Sequence, residues 1–343
     1  MRLLMRTMAL VCFAGMASAS PPPRRTFEMG MIFWPPQGEA TERKTIERGI
    51  GLTVEGSDHL LVQLPWSPTQ PEVAARANWI ASIAREHGRS LAIAVDWMEA
   101  TRDLVLGGRA APWRFSDRAN RDRFVEAVEE AAKKHQPEYF LLGVEVNYYA
   151  FANPEDFRAF VDVYRAARAR VRAASPRTRC LVTFQFELLS GRDAARGAKV
   201  DPGPIHAFGP DLDLLGIATY PHLAGLKPGE VSSAYFDQLA VLDRPFGIFE
   251  TSWPSLGPWT EVDQEVYLRR ILEVCDRRSA RLLIWTATTD TAGIPEVEGD
   301  RRAFEAEAGW MRSLGLWRLD GGRKAAVATW EEWHSRAMPP QSR

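Results

Sequence analysis

Two glutamates stand where an apolar run ends. Glu145 follows Tyr139-Phe140-Leu141-Leu142-Gly143-Val144, and Glu250 follows Phe246-Gly247-Ile248-Phe249. A carboxylate closing a buried strand is costly unless it is paired, hydrogen-bonded or put to use. Two carboxyls about 5 to 5.5 Å apart have such a use: one attacks the anomeric carbon of a sugar while the other protonates the leaving oxygen. At that separation an ionised Glu250 raises the proton affinity of Glu145 and keeps it an acid near neutral pH. Trp34, Trp66, Trp97, Trp253 and Trp285 also follow or close apolar runs, as do Asp96, Asn147, Gln185, Glu187, Tyr220 and His222. Indoles stack on the C–H face of a sugar ring, and carboxylates and amides hold its rim of hydroxyls.

For these residues to meet, the runs that carry them must end on one side of one sheet. Eight runs read as strands: 28–33, 59–64, 91–95, 139–146, 180–184, 214–219, 246–249 and 281–285. Amphipathic patterns separate them. Phe157, Phe160, Val161, Tyr164 and Val171 share one helical face behind an Asn153-Pro154 start, and Thr260-x-x-Asp263 precedes Val266, Tyr267, Ile271 and Val274. A further helix over 71–86 ends before Gly88, whereas 191–209 is broken by Gly and Pro and reads as irregular. Eight such units predict an α/β protein with one (β/α)8 TIM barrel, whose strand C-terminal ends form the active face. An open doubly wound sheet is the competing architecture, but no Gly-x-Gly-x-x-Gly follows the first strand. Trp79 and Trp310, at helical spacing, read as core rather than site.

The ends of the chain complete the organisation. Residues 1–19 carry Arg2 and Arg6, an apolar stretch and Ala17-Ser18-Ala19, the order of a signal peptide, so export to the periplasm or outside the cell is expected. Residues 20–26 read as a flexible leader, 27–314 as the barrel, and 315–343 as its closing segment and tail. Lys plus Arg number 43 against 44 Asp plus Glu, which leaves no basic surplus for a nucleic acid. No run after the signal is apolar and long enough for a membrane span. Beyond the signal only Cys180 and Cys275 remain, and no paired-histidine or Cys-x-x-Cys spacing supports a metal; no cofactor is expected, and a monomer is. Aromatic usage is heavy: 12 Trp, 16 Phe and 7 Tyr.

The motifs themselves resemble a known group. Gly143-Val144-Glu145-Val146-Asn147, Tyr220-Pro221 and Phe249-Glu250-Thr251-Ser252-Trp253-Pro254-Ser255 are similar to the clan A glycoside hydrolases. The last of them is most like the Glu-Thr-Gly-Trp-Pro-Ser of endo-β-1,3-glucanases and endo-β-1,4-galactanases. The resemblance implies a retaining hydrolase of β-linked poly- or oligosaccharide, with Glu145 as acid/base and Glu250 as nucleophile. It further implies Tyr220 as the hydroxyl that orients the nucleophile, and Trp285 as the platform under the sugar beside the scissile bond. Trp253, Trp34, Trp66 and Trp97 extend the expected sugar contacts. Two positions depart from the pattern: the Asn usually found before the acid/base is Val144, where Asn147 or Gln185 is expected to take over part of its contact with the sugar 2-hydroxyl, and Ser252 stands where the motif has Gly.

Two other readings fit the same residues. A barrel that binds polysaccharide without cleaving it accounts for Val144. A transglycosylase uses the same two glutamates with a sugar as acceptor. A serine hydrolase fits poorly, since there is no Gly-x-Ser-x-Gly.

Overall fold

The computed structural model describes residues 24–34, 42–99, 102, 104–106, 113–237, 244–293 and 309–338. The expected signal peptide and most of the leader lie outside the described residues, as does the end of the tail.

β1 (Glu28–Ile32), β2 (His59–Pro65) and β3 (Ser90–Asp96) are followed in turn by α1 (Arg43–Glu55), α2 (Val73–Glu86) and α3 (Arg118–His135). β4 (Tyr139–Leu141) leads into the short α4 (Val146–Ala152) and the long α5 (Pro154–Ala174). Next come β5 (Arg179–Leu181), β6 (Thr183–Gln185), α6 (Phe186–Leu189), α7 (Gly203–Ala207) and β7 (Leu215–Thr219). β8 (Phe246–Thr251), α8 (Glu261–Arg277), β9 (Leu282–Thr286) and α9 (Ala325–His334) complete the order.

The strands pair in parallel in the order β5-β4-β3-β2-β1-β9-β8-β7-β6. The two ends of that order are halves of one strand, separated only by Val182. Thr183 donates its N–H to Gly143 O at 3.1 Å on one side and pairs with Gly216 of β7 on the other. The sheet therefore closes on itself, and the nine paired segments are the eight strands of a (β/α)8 barrel. Gly216 permits the closure: a Cβ there would lie 2.5 Å from Val182 O.

Closure gives each strand two buried faces. Ile32, Leu61, Ala92, Ala94, Tyr139, Leu141, Leu181, Leu214, Phe249, Leu282 and Ile284 fill the interior. Residues of the other parity, among them Met31, Leu60, Ile93, Val95, Phe140, Ile217, Ile248 and Leu283, pack under the helices. Both faces are apolar, so the strands show no alternation of apolar and polar residues.

The helices follow their local signals. Thr260 and Asp263 form the capping box of α8, with Thr260 N–H donating to the Asp263 carboxylate at 2.8 Å. Pro154 opens α5 and Gly88 takes φ 61 just beyond α2, but the Asn153 side chain makes no capping bond. Residues 191–209 hold only short helical turns. Two expectations are corrected. The fourth strand, expected over 139–146, stops at Leu141, for reasons given below. Trp79 is 44% exposed, its ring 6.3 Å from Phe33, because its face of α2 looks outward. Cys180 and Cys275 are both buried and unpaired. No helix among the described residues is long and apolar enough to cross a membrane.

The segment after β9 is tied down by a buried charge. Lys324 Nζ lies 2.6 Å from Asp290 and donates to Ser255 Oγ and Gly315 O, each at 2.8 Å. Trp330 follows it into the core and donates from Nε1 to Gly56 O at 2.9 Å. Removing one partner of a buried ion pair costs about 3–5 kcal/mol. Lys324→Met should lower the unfolding free energy by about that amount in denaturant titration, and adding Asp290→Asn should restore part of it, since the stranded charge is then gone.

Candidate active site

Glu250 reaches the barrel mouth through a slip in register. β7 and β8 pair Ile217 with Ile248 but Ala218 with Glu250, so β8 carries one extra residue at that point. Strict alternation would send Glu250 outward with Ile248. The bulge instead lets Phe249 fill the interior while Glu250 meets the Tyr220 hydroxyl, which donates to its Oε2 at 3.3 Å. Thr251 then turns out to the Tyr267 hydroxyl of α8.

Glu145 reaches the same mouth by a different device. After Leu141 the chain leaves the ladder, and Glu145 adopts φ 50 and ψ 42, a left-handed conformation that a residue with a Cβ rarely takes. Its N–H donates to Thr183 Oγ1 at 2.8 Å, which fixes the turn from the adjacent strand. Such backbone conformations cost roughly 1–3 kcal/mol and concentrate where a side chain must be aimed.

A chain of charge links the strand ends. Gln63 Nε2 donates to Asp96 at 2.8 Å, Arg102 Nη1 lies 2.7 Å from the same carboxylate, and Arg102 Nε lies 2.9 Å from Glu145 Oε2. Arg102 was not among the residues expected from sequence. The only hint was Asp96, a carboxylate at a strand end that needed a partner. Glu187 is committed elsewhere: it accepts from Thr219 Oγ1 at 2.7 Å, Tyr220 N–H at 3.1 Å, the Tyr235 hydroxyl and Gln185 Nε2. It ties the Tyr220 backbone in place rather than facing the cleft.

Burial sets the protonation of the two glutamates. It pushes Glu250 up to about 8, helped by the negative charge of Glu145 and opposed by Arg102. Glu145 is also raised by burial, but its own contact with Arg102 pulls the other way. The pair therefore holds a proton to near-neutral pH, and Arg102, in contact with Glu145, favours leaving it on Glu250.

Most of the expected tryptophan platform is absent from the mouth. Trp66 and Trp97 have no exposed surface and pack edge-on with Phe115, Phe124 and Tyr149 under the helices. Trp285 lies on the same face, donating from Nε1 to Leu314 O at 2.9 Å, because in β9 it is Ile284 and Thr286 that share the inward parity. Trp253 is likewise fully buried, 5.0 Å from the Tyr267 ring. These four offer no face to a ligand. Trp34 is the exception: partly buried, it packs against the interior cluster at the end of β1.

The expected stand-ins for the missing amide are also spoken for. Asn147 donates to Gln185 O at 2.9 Å and accepts from Gln185 N–H at 2.8 Å, while the Gln185 side chain caps α6. Val144 has no exposed surface and belongs to the interior cluster.

What sequence spacing assigned to the core, the structure brings to the site. Trp310 is partly buried, 5.5 Å from the Tyr220 ring and 4.7 Å from His222. His222 is held neutral by burial, its pKa pushed down to about 3, and lies 5.4 Å from Trp259. Beside it opens a cavity of about 350 Å³ lined also by Leu226, Lys227, Trp259 and Asp263.

No protein-family profile and no curated protein matches this sequence. Solved structures do match its fold. An exo-β-1,4-mannosidase from Opitutaceae bacterium strain TAV5 superposes with a TM-score of 0.66 at 16% identity, covering 91% of this chain and 59% of its own. A β-D-glucuronidase for Dictyoglomus thermophilum gives 0.60 at 14%, covering 93% of this chain and 51% of its own. GH5_18 from Streptomyces cattleya, in complex with GlcNAc, gives 0.64 at 15%, over 93% and 83%. The chain spans only half to three-fifths of the length of the first two. At these identities the likeness establishes a shared TIM-barrel fold.

Proposed function

We propose that the protein is an exported glycoside hydrolase that cleaves β-linked oligo- or polysaccharide with retention, through Glu250 as nucleophile and Glu145 as acid/base. The observation that carries this reading is the convergence of two buried carboxyls, from strands on different sides of the barrel, on one mouth where Arg102 holds Glu145 at 2.9 Å and the negative charge of Glu145 raises the proton affinity of Glu250. The fold shared with glycosidases supports it, as does the resemblance of the β8 motif Phe249-Glu250-Thr251-Ser252-Trp253-Pro254-Ser255 to β-glucanases and galactanases.

The chemistry follows from the geometry. Glu250 attacks the anomeric carbon and Glu145 gives its proton to the departing oxygen, forming a glycosyl ester on Glu250. Glu145 then takes a proton from the incoming water as the ester breaks. Tyr220 holds the Glu250 oxygen in line. For the first step the shared proton must sit on Glu145, so substrate binding has to weaken the Arg102 contact or move the proton across the pair. Among the described residues, Trp34 and Trp310 offer partly exposed aromatic faces to stack on sugar.

A non-catalytic carbohydrate-binding barrel is the second reading. It is favoured by Val144 and by the commitment of the Asn147 amide to the Gln185 backbone and of the Gln185 amide to Leu188 N–H and Glu187. A screen of β-glucans, galactans and mannans separates the readings: affinity without turnover in the wild type selects binding, and products longer than the substrate select transglycosylation.

If hydrolysis is the activity, Glu250→Gln should lower kcat by roughly 10³-fold or more, and Glu145→Gln by roughly 10²–10⁴-fold for poor leaving groups. Undiminished cleavage by Glu250→Gln would sink the mechanism. The kcat/KM profile should fall above about pH 8, where the pair loses its last proton. Removing a neighbouring cation raises carboxyl pKa values, so Arg102→Met should move both limbs of the profile to higher pH, with Arg102→Lys moving them back. An unshifted profile in Arg102→Met would remove Arg102 from the proton balance.

A further inference from the structure

At the end of the barrel opposite the carboxyl pair, the floor holds a second polar cluster that the reaction does not use. Glu28 of β1 and His59 of β2 occupy the inward parity of the first layer, and Glu138 lies immediately before β4. His59 has no exposed surface, and its ring lies 5.4 Å from that of Tyr139. Its Nε2 sits 2.8 Å from Glu28 Oε2 and 4.0 Å from Glu138 Oε2, yet neither ring nitrogen makes a hydrogen bond of good geometry. A buried imidazole without such bonds costs free energy and calls for an occupant.

We propose that Glu28, His59 and Glu138 form a site for a divalent first-row cation of the Zn²⁺ or Mn²⁺ class. One nitrogen and two carboxylate oxygens are a donor set such ions accept. The three donor atoms all lie within 4.8 Å of one another. An ion with donors at roughly 2.0–2.2 Å needs them about 3.3 Å apart, and the separations of 2.8 and 4.0 Å straddle that distance. Glu28 and Glu138 retain 15% and 32% of their side-chain exposure, so water has a way in to complete the coordination. Arg179, 4.0 Å from Glu138 and half exposed, is the cation that the metal displaces. The ligands come from three different βα units, so a bound ion staples the floor without touching the mouth.

The alternative occupant is a proton: an imidazolium would hold both carboxylates by itself. Tag-free protein stripped with chelator and titrated with Zn²⁺ or Mn²⁺ alone, by calorimetry and by thermal melting, separates the two. One equivalent bound, with a rise in Tm, is expected. Glu138→Gln, at a half-exposed position that leaves the fold intact, should weaken binding at least ten-fold, and His59→Asn should abolish it. Cobalt(II) should give a d–d absorption that Glu138→Gln alters. No saturable binding, or equal binding by wild type and both variants, would overturn the site. Because the readouts are binding and melting, they stand whether or not the mouth hydrolyses sugar.

Discussion

The closed parallel sheet is the constraint from which the rest of the structure follows. A barrel has no solvent-facing side, so every strand must bury both rows of side chains, one inside the ring and one beneath the helices. Each residue at a strand end inherits its destination from parity. Asp96 goes in and Trp97 goes out; Thr286 goes in and Trp285 goes out. Closure also requires the fifth strand to face two neighbours at once, which Gly216 makes possible by letting Val182 O approach.

Within that frame the two glutamates are exceptions that the chain makes by breaking its own regularity. A bulge rotates Glu250 inward after Phe249, and a left-handed turn frees Glu145 from a strand that ends four residues earlier. Local irregularity at one end of an otherwise regular sheet is how a barrel presents reactive groups. Among the described residues, the negative charge so gathered is offset by the buried guanidinium of Arg102, which bridges Asp96 and Glu145. Its position makes the proton's location, rather than the presence of the carboxyls, the variable that substrate must control.

The aromatic residues show how far pattern reading reaches. The abundance of tryptophan at strand ends suggested a sugar platform, but Trp66, Trp97, Trp253 and Trp285 instead build the seam between strands and helices at the mouth end. Their indole N–H groups find backbone carbonyls where geometry permits, as Trp97 does at Leu142 O and Trp285 at Leu314 O. Trp310, dismissed as helical core, stands beside Tyr220 and His222. Most strand positions are legible in the sequence, the end of the fourth excepted; which side of the strand each residue faces is not, because both sides are apolar.

By itself the sequence determined the number and order of the βα units, the capping signals of α8, the irregular stretch at 191–209, and the two glutamates at or just beyond the strands that carry them. These depend on hydrophobic periodicity and local turn chemistry, which are written within a dozen residues. Only the tertiary structure decided which tryptophans are buried, that the Gln185 backbone holds the Asn147 amide, that Arg102 answers Glu145, and that Glu28, His59 and Glu138 meet on the floor. Those are encounters between residues about 30–110 positions apart in the chain, created when parallel strands are brought side by side and the ring is closed.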